Sequence, residues 1–395
     1  MAPVRLRTVL LTVLLGEMLL ASWLAVRAGE RGLHPPPPPA YAASNPFSVR
    51  PIASFNEPWA LAVDAGTGAI IVTEKRGAIK YVGPDGKIGS VSGVPAVSYG
   101  GQGGLGDIVF APAPPRAVFD RRLVYLSWVE AGPNSTRGAV VGRAELVCER
   151  AASCALQGLV VIWRQSPKGK NPGHFSHRIA FSPDGRQLFI ASGERQLKQP
   201  AQDMSGNLGK IVRLELDGTP APGNPFAAKG GITDQIWTLG HRNILGLHFN
   251  ARGQLWGLEH GPGGGDELNL IEPGRNYGWP IVCEGPDYDG SRFPTHASHP
   301  EFAAPAISWY PVIAPGDFIF YSGNRFPEWR GQALIAALGA QGIVRVALDS
   351  SKAREIERYN LRARIRAIAE RPDGTLLVLE DGPGGRLLEL SPLPR

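Results

Sequence analysis

From Glu57 onward the chain repeats one theme, in which an apolar run is followed by a turn, a second apolar run, a loop and a third apolar run. Three copies are clear. Arg178 to Ile190 reads almost in step with Ile365 to Leu377, both folding back at Pro-Asp-Gly, and Leu245 to Leu258 repeats them around Ala251-Arg252-Gly253. Pro-Asp-Gly supplies the geometry that joins two antiparallel strands. A third strand is predicted after each turn, at Lys210 to Leu216, Glu267 to Ile271 and Arg386 to Leu390, and fainter copies occupy Trp59 to Val82, Leu105 to Val147 and Asp317 to Leu348. Repeats of roughly 40 to 60 residues with several short strands each are the mark of propeller blades, since one blade cannot cover both of its own faces. The pattern therefore predicts an all-β chain folded as a six-bladed β-propeller. Phe47 to Phe55 lies ahead of the first blade and is predicted to supply a strand to the last one, closing the ring without an open edge.

Composition agrees with this picture. Fifty glycines and 36 prolines spread over 395 residues suit turns rather than long helices, and with 43% hydrophobic residues the chain can bury a large core. The formal charge of +6 is modest, and neither lysines nor arginines gather into a run that would follow a phosphate backbone, which sets nucleic acid aside.

The first 44 residues read differently. Arg5 and Arg7 precede an apolar stretch from Val9 to Val26, broken only by Glu17, and small residues follow at Val26-Arg27-Ala28 and again at Ala40-Tyr41-Ala42. Residues 1–44 are thus expected to be an export signal or, uncleaved, an N-terminal anchor with Pro35 to Pro39 as a stiff spacer, and residues 45–395 the propeller. An exported or periplasmic chain tolerates a disulfide, and Cys148 with Cys154 is the favoured pair across a short loop, leaving Cys283 over; three reduced, buried cysteines are the alternative.

Candidate chemistry gathers in glycine-flanked loops that a propeller would bring to one end of its central channel. Glu259-His260-Gly261-Pro262-Gly263-Gly264-Gly265-Asp266-Glu267 combines carboxylates with glycines that let carbonyls turn inward, which suits a hard cation. Gly240-His241-Arg242-Asn243 lies just upstream, Gly100 to Leu105 and Gly173 to Arg178 open two other repeats, and Arg364-Ile365-Arg366 opens the last.

On these motifs the chain resembles the soluble quinoprotein glucose/sorbosone dehydrogenases, and in length and spacing the periplasmic aldose sugar dehydrogenase branch. The resemblance runs from about Asn45 to Pro392 and is carried by GGQGGLGDIVFAP, LGKIVRLELDG, LGHRN, EHGPGGGDELNLI and NYGWP, in the family's order. It implies pyrroloquinoline quinone (PQQ) and Ca²⁺ as cofactors, and oxidation of an aldose at its anomeric carbon to a lactone, with electrons passing to a membrane or soluble acceptor. His174 then resembles the general base, Gln102 and Arg242 the residues beside the quinone carbonyl, Asn243 a neighbouring contact, and Arg364 and Arg366 the grip on cofactor carboxylates. Gly261 and Pro262 correspond to backbone ligands of the cofactor Ca²⁺, and Glu267 and Tyr277 to ligands of a second one. An imidazole suits the base role because its pKa is near neutral, and paired guanidinium groups suit a ligand with three carboxylates.

The chain departs from the family pattern at Gly173, where a polar residue is usual, at Ser176-His177, which replace small glycine-type residues, at Ile244 and Ala367, and at Gly339-Ala340-Gln341-Gly342, which lacks a lysine. His177 and His241 are rival bases. A binding module without cofactor and a calcium-dependent lactonase or hydrolase are the alternative readings of the same fold.

Overall fold

The computed structural model describes residues 40 to 394 apart from 151 and 152; the apolar stretch Val9 to Val26 and the run Pro35 to Pro39, expected to form a signal or anchor, lie outside the described residues. From Tyr41 the chain is already packed, its hydroxyl donating to the Ala340 carbonyl at 2.7 Å and the Ala42 amide to that of Arg358 at 2.8 Å. Among the described residues no helix is long and apolar enough to cross a membrane.

After β1 (Phe47–Asn56) come two meanders. The first is β2 (Pro58–Val63), β3 (Ile70–Glu74), β4 (Ala78–Val82) and β5 (Ile88–Ser92), and the second β6 (Leu105–Phe110), β7 (Arg121–Ala131), β8 (Arg137–Arg150) and β9 (Ser153–Arg164). A short parallel pairing of β5 with β9 joins them into one eight-stranded sheet. Three separate four-stranded sheets follow: β10 (Ser176–Phe181), β11 (Gln187–Ser192), β12 (Lys210–Glu215) and β13 (Ile236–Leu239); β14 (Ile244–Phe249), β15 (Leu255–Glu259), β16 (Asp266–Ile271) and β17 (Ile307–Trp309); β18 (Pro315–Phe320), β19 (Ala333–Ala337), β20 (Gly342–Asp349) and β21 (Lys352–Asn360). The last sheet holds β22 (Ile365–Glu370), β23 (Leu376–Glu380) and β24 (Pro383–Pro392), and its fourth strand is β1, paired antiparallel to β24 as the sequence predicts.

The first strands of successive meanders lie against one another, β2 on β6, β6 on β10, β10 on β14, β14 on β18, β18 on β22 and β22 back on β2. Each sheet is therefore flanked on both faces by its neighbours. This is why β3, β15, β19 and β23 are buried along their whole length and are apolar on both faces up to their last residues, where β3, β15 and β23 end in Glu74, Glu259 and Glu380. Burying one Val, Leu or Ile side chain contributes about 1.5–3 kcal/mol, so these second strands carry much of the cohesion. Cys148 and Cys154 form the expected disulfide across the β8–β9 turn, and Cys283 is buried and unpaired.

Candidate active site

The loops that lead into the first strands converge on a cleft of about 200 Å³ that Gln102, Asn243, Arg364 and Arg366 line together, with Lys75, His177 and His260 among their neighbours. Four of the residues predicted from sequence thus meet in one place. A second, smaller cavity is lined by Arg242, Gly261, Glu267 and Tyr277, and His260 borders both. Pro262 is buried beside Gly261 but lines neither.

His174 lines neither cavity but adjoins Phe175 of the cleft wall, its backbone N–H held by the Gln102 side-chain oxygen at 2.7 Å. Gly101, at φ 58° and with the Pro172 carbonyl only 2.4 Å from where a Cβ would stand, keeps the Gln102 loop this close to the His174 segment. The His174 Nδ1 bonds the Glu194 carboxylate, which fixes the tautomer and leaves Nε2 without a protein partner among the described residues. Burial pushes the His174 pKa below its ordinary value and the Arg242 charge adds to this, against the opposing pull of Glu194. Its imidazole is therefore neutral, the form a base requires.

The backbone here is unusual. His174, Ser176 and His177 have φ of 49°, 56° and 54°, the left-handed region that small glycine-type residues occupy without strain. Side chains hold the segment in place: Ser176 Oγ donates to Asn243 Oδ1 at 3.3 Å and His177 Nδ1 meets Ser127 Oγ at 2.7 Å. Strain of this kind persists only where the surroundings over-determine it, and it concentrates at functional sites. At Gly173 a Cβ would meet the Gln196 amide at 2.8 Å, so Gln196 fills the space that a side chain at 173 would take.

The rival histidines are otherwise engaged. Both His241 nitrogens have partners, Thr238 at 2.9 Å and Glu259 at 3.0 Å. His177 stacks on Trp59 at 5.0 Å in the cleft floor, and burial drives its pKa to about 3.

Arg364 and Arg366 both reach Asp381, at 3.0 Å and at 2.8 and 2.9 Å. Burial works to raise the Asp381 pKa, but the Arg366 and Arg364 guanidinium groups outweigh it and hold the carboxylate ionised. One carboxylate thus fixes two cations in register, leaving a net positive wall. Arg242 has no acid on its guanidinium: Nη1 donates to the His260 carbonyl at 3.1 Å and Nη2 to the Tyr288 hydroxyl at 3.0 Å, while Nε is buried without an acceptor.

In the glycine loop, a Cβ on Gly261 would lie 2.0 Å from the Gly264 carbonyl oxygen, so only glycine permits this fold-back. Glu267 is buried, and desolvation, together with the nearby Glu259 charge, raises its carboxyl to about 8. Asn269 donates to both carboxylates, at 3.1 and 3.3 Å, while its own buried Oδ1 finds no donor. A buried carboxylate pair beside an orphaned amide oxygen fits a hard cation. No three His, Cys, Asp or Glu side chains group for a metal among the described residues, so carbonyl oxygens would have to complete such a site. Tyr277 can offer only its carbonyl, since its hydroxyl is bonded to Leu270 and Glu272 at 2.5 and 2.9 Å. The free Arg242 Nε likewise fits an acceptor that the protein does not provide.

The glucose/sorbosone dehydrogenase family model matches residues 55–389. Over 346 residues the chain is 34% identical to the aldose sugar dehydrogenase YliI of Escherichia coli K12, covering 86% of this chain and 91% of that one. Its structure is similar to the soluble aldose sugar dehydrogenase of Escherichia coli in the apo-form, with TM-score 0.79, 33% identity and 88% and 100% of the two chains covered. It is also similar to the PQQ-bound aldose sugar dehydrogenase of Streptomyces coelicolor, with TM-score 0.69, 28% identity and 89% and 99% covered. Matched over most of its length in sequence and in fold, the chain belongs to the glucose/sorbosone dehydrogenase family.

Proposed function

We propose that this chain is a six-bladed β-propeller that binds PQQ with Ca²⁺ and oxidises aldose sugars at the anomeric carbon. The blade count rests on the two meanders within the eight-stranded sheet, the four further four-stranded sheets and the closed ring of first strands. One observation carries the activity: a neutral, carboxylate-oriented imidazole stands beside a cleft whose walls hold two arginines. A binding scaffold has no use for that combination, and the PQQ-bound form of the similar Streptomyces coelicolor protein supports this choice of cofactor.

When bound, the quinone supplies the hydride acceptor. The protein residues do the rest. His174 Nε2 takes the proton of the anomeric hydroxyl, and Glu194 stabilises the imidazolium that forms. Gln102 and Asn243 orient the ligand from the cleft floor, and Arg364 and Arg366 hold carboxylates through bidentate hydrogen bonds. Arg242, whose guanidinium has no acid partner, would stabilise the negative charge that develops when the cofactor is reduced. Gly261 and Pro262 carbonyls, Glu267 and the Tyr277 carbonyl are the proposed calcium ligands. The chain is expected to work outside the cytoplasm, in line with its N-terminal export pattern, and to pass electrons to a membrane or soluble acceptor. Mixing the purified protein with PQQ and Ca²⁺ and following sugar-dependent reduction of a dye tests the reading; no turnover with any aldose would remove it.

Two expectations follow for the ligands. Arg364→Ala and Arg366→Ala should each raise the PQQ dissociation constant about tenfold or more, since a charged hydrogen bond contributes roughly 1.5–3 kcal/mol. Saturating cofactor should restore part of the turnover, and titration by fluorescence checks both. Exhaustive chelation should lower the melting temperature, because a metal that binds only the folded state stabilises it by mass action. Glu267→Gln should abolish the part of the shift that returns with added Ca²⁺. Identical melting curves with and without chelator would take calcium out of the account.

A further inference from the structure

Lys75 also faces the cleft, and we propose that its ammonium binds an oxyanion of the cofactor as a third cationic clamp, an inference that rests on the function proposed above. The residue follows β3 directly, is half-buried, and lines the same cleft as Gln102, Arg364 and Arg366. Among the described residues no carboxylate lies within ion-pair distance of it. Nearby acids are engaged elsewhere: Glu57 with Arg76 at 2.8 Å and the Tyr99 hydroxyl at 2.7 Å, Glu74 with the Asn56 amide at 2.7 Å, and Asp381 with the two arginines. The Lys75 Nζ donates to the Gly101 carbonyl at 3.2 Å and stands 5.8 Å from the Tyr99 ring, a weak cation–π approach. An ammonium has three donors, so two remain for a ligand. The ammonium lies at the exposed side of the cleft, where it can exchange water for an arriving anion.

The backbone fixes this cation relative to the others. The Lys75 N–H donates to the Glu57 carbonyl at 2.9 Å, the Glu57 N–H to the Gly382 carbonyl at 3.2 Å, and Gly382 adjoins the Asp381 that holds Arg364 and Arg366. On the other side the Leu105 N–H donates to the Lys75 carbonyl at 2.9 Å, and a Cβ on Gly104 would come within 2.1 Å of that oxygen. The root of Lys75 is therefore tied both to the Gln102 loop and to the arginine clamp. Three cations against the single Asp381 carboxylate give the walls a positive excess, which complements a ligand carrying several carboxylates. Lys75 supplies a mobile point charge where the arginines supply fixed forks.

Titrating the purified protein with PQQ in the presence of Ca²⁺, followed by tryptophan fluorescence at several NaCl concentrations, tests this without recourse to turnover. Lys75→Met should weaken PQQ binding about tenfold and flatten its salt dependence, with the melting temperature unchanged, while Lys75→Arg should stay within about threefold of the parent. If Lys75→Met does not fold, Lys75→Gln carries the same expectation. Parental affinity and salt dependence in the neutral variant would overturn the assignment. A parent protein that binds no PQQ at all would overturn the proposed function, and this inference with it.

Discussion

Replacing His174 with alanine lowers kcat by about 10²-fold or more at saturating cofactor, while PQQ affinity and the melting temperature stay near the parent's. The size of the effect is the usual scale for losing a positioned general base. Its selectivity follows from the geometry, because the imidazole makes one side-chain contact, to Glu194, and its fixed backbone N–H bond to Gln102 is independent of the side chain. Glu194→Gln should lose a smaller factor, since the base remains but its tautomer and its charged form lose their carboxylate partner. The pH profile distinguishes the two roles. Burial depresses the His174 pKa, so the neutral base persists as pH falls through 6.5, and the acid limb of kcat/KM should lie below that value. Glu194 pulls the pKa up, so Glu194→Gln should move the limb lower still. An equal loss from His177→Ala with none from His174→Ala would reassign the base to the cleft floor.

The fold is legible in the sequence where the chain is buried on both faces. Second strands such as β15 and β23 read as dense apolar runs next to turns, because neighbouring sheets cover both of their sides. The outer strands are less legible: β5 and β21 are partly exposed and carry mixed residues, and although Pro84-Asp85-Gly86 precedes β5, nothing local signals the β5–β9 pairing. In the site, motifs bring in the residues that face the ligand and miss the carboxylates behind them. The hairpin registers place both acids. The β10–β11 hairpin pairs Ser176 with Ser192, and continuing that register by two residues sets His174 opposite Glu194. The β22–β23 hairpin pairs Ile365 with Glu380, and one further step sets Arg364 opposite Asp381. Counting outward from the Pro-Asp-Gly turn misses both acids by one residue, because each hairpin carries a bulge, between Ser176 and Ile179 and between Ile365 and Ala367, that shifts the register and has no mark in the sequence.

Arg242→Ala should lower kcat by about 10²- to 10³-fold even when PQQ saturates the protein, the scale found when a donor to developing negative charge is removed. Arg364 and Arg366 share their charge with Asp381, and losing either removes ground-state binding that more cofactor can partly restore. Arg242 has only neutral partners, the His260 carbonyl and the Tyr288 hydroxyl, and its buried Nε points at no acceptor in the protein. Its guanidinium therefore has no carboxylate partner, since the contact of Arg242 with Glu259 is through the backbone N–H, at 2.8 Å. Such a group interacts most strongly when negative charge appears next to it, so its loss shows in kcat more than in affinity. Arg242→Lys should recover less than about a tenth of the parental rate, because a single compact ammonium cannot reproduce the planar fork that spans the His260 carbonyl, the Tyr288 hydroxyl and the free Nε position at once. Single-turnover reduction at saturating PQQ reads the step directly. A rate for Arg242→Ala that returns to the parent's as cofactor is raised would make this arginine one more binding clamp, and the stabilising charge would then have to come from the calcium ligands' side.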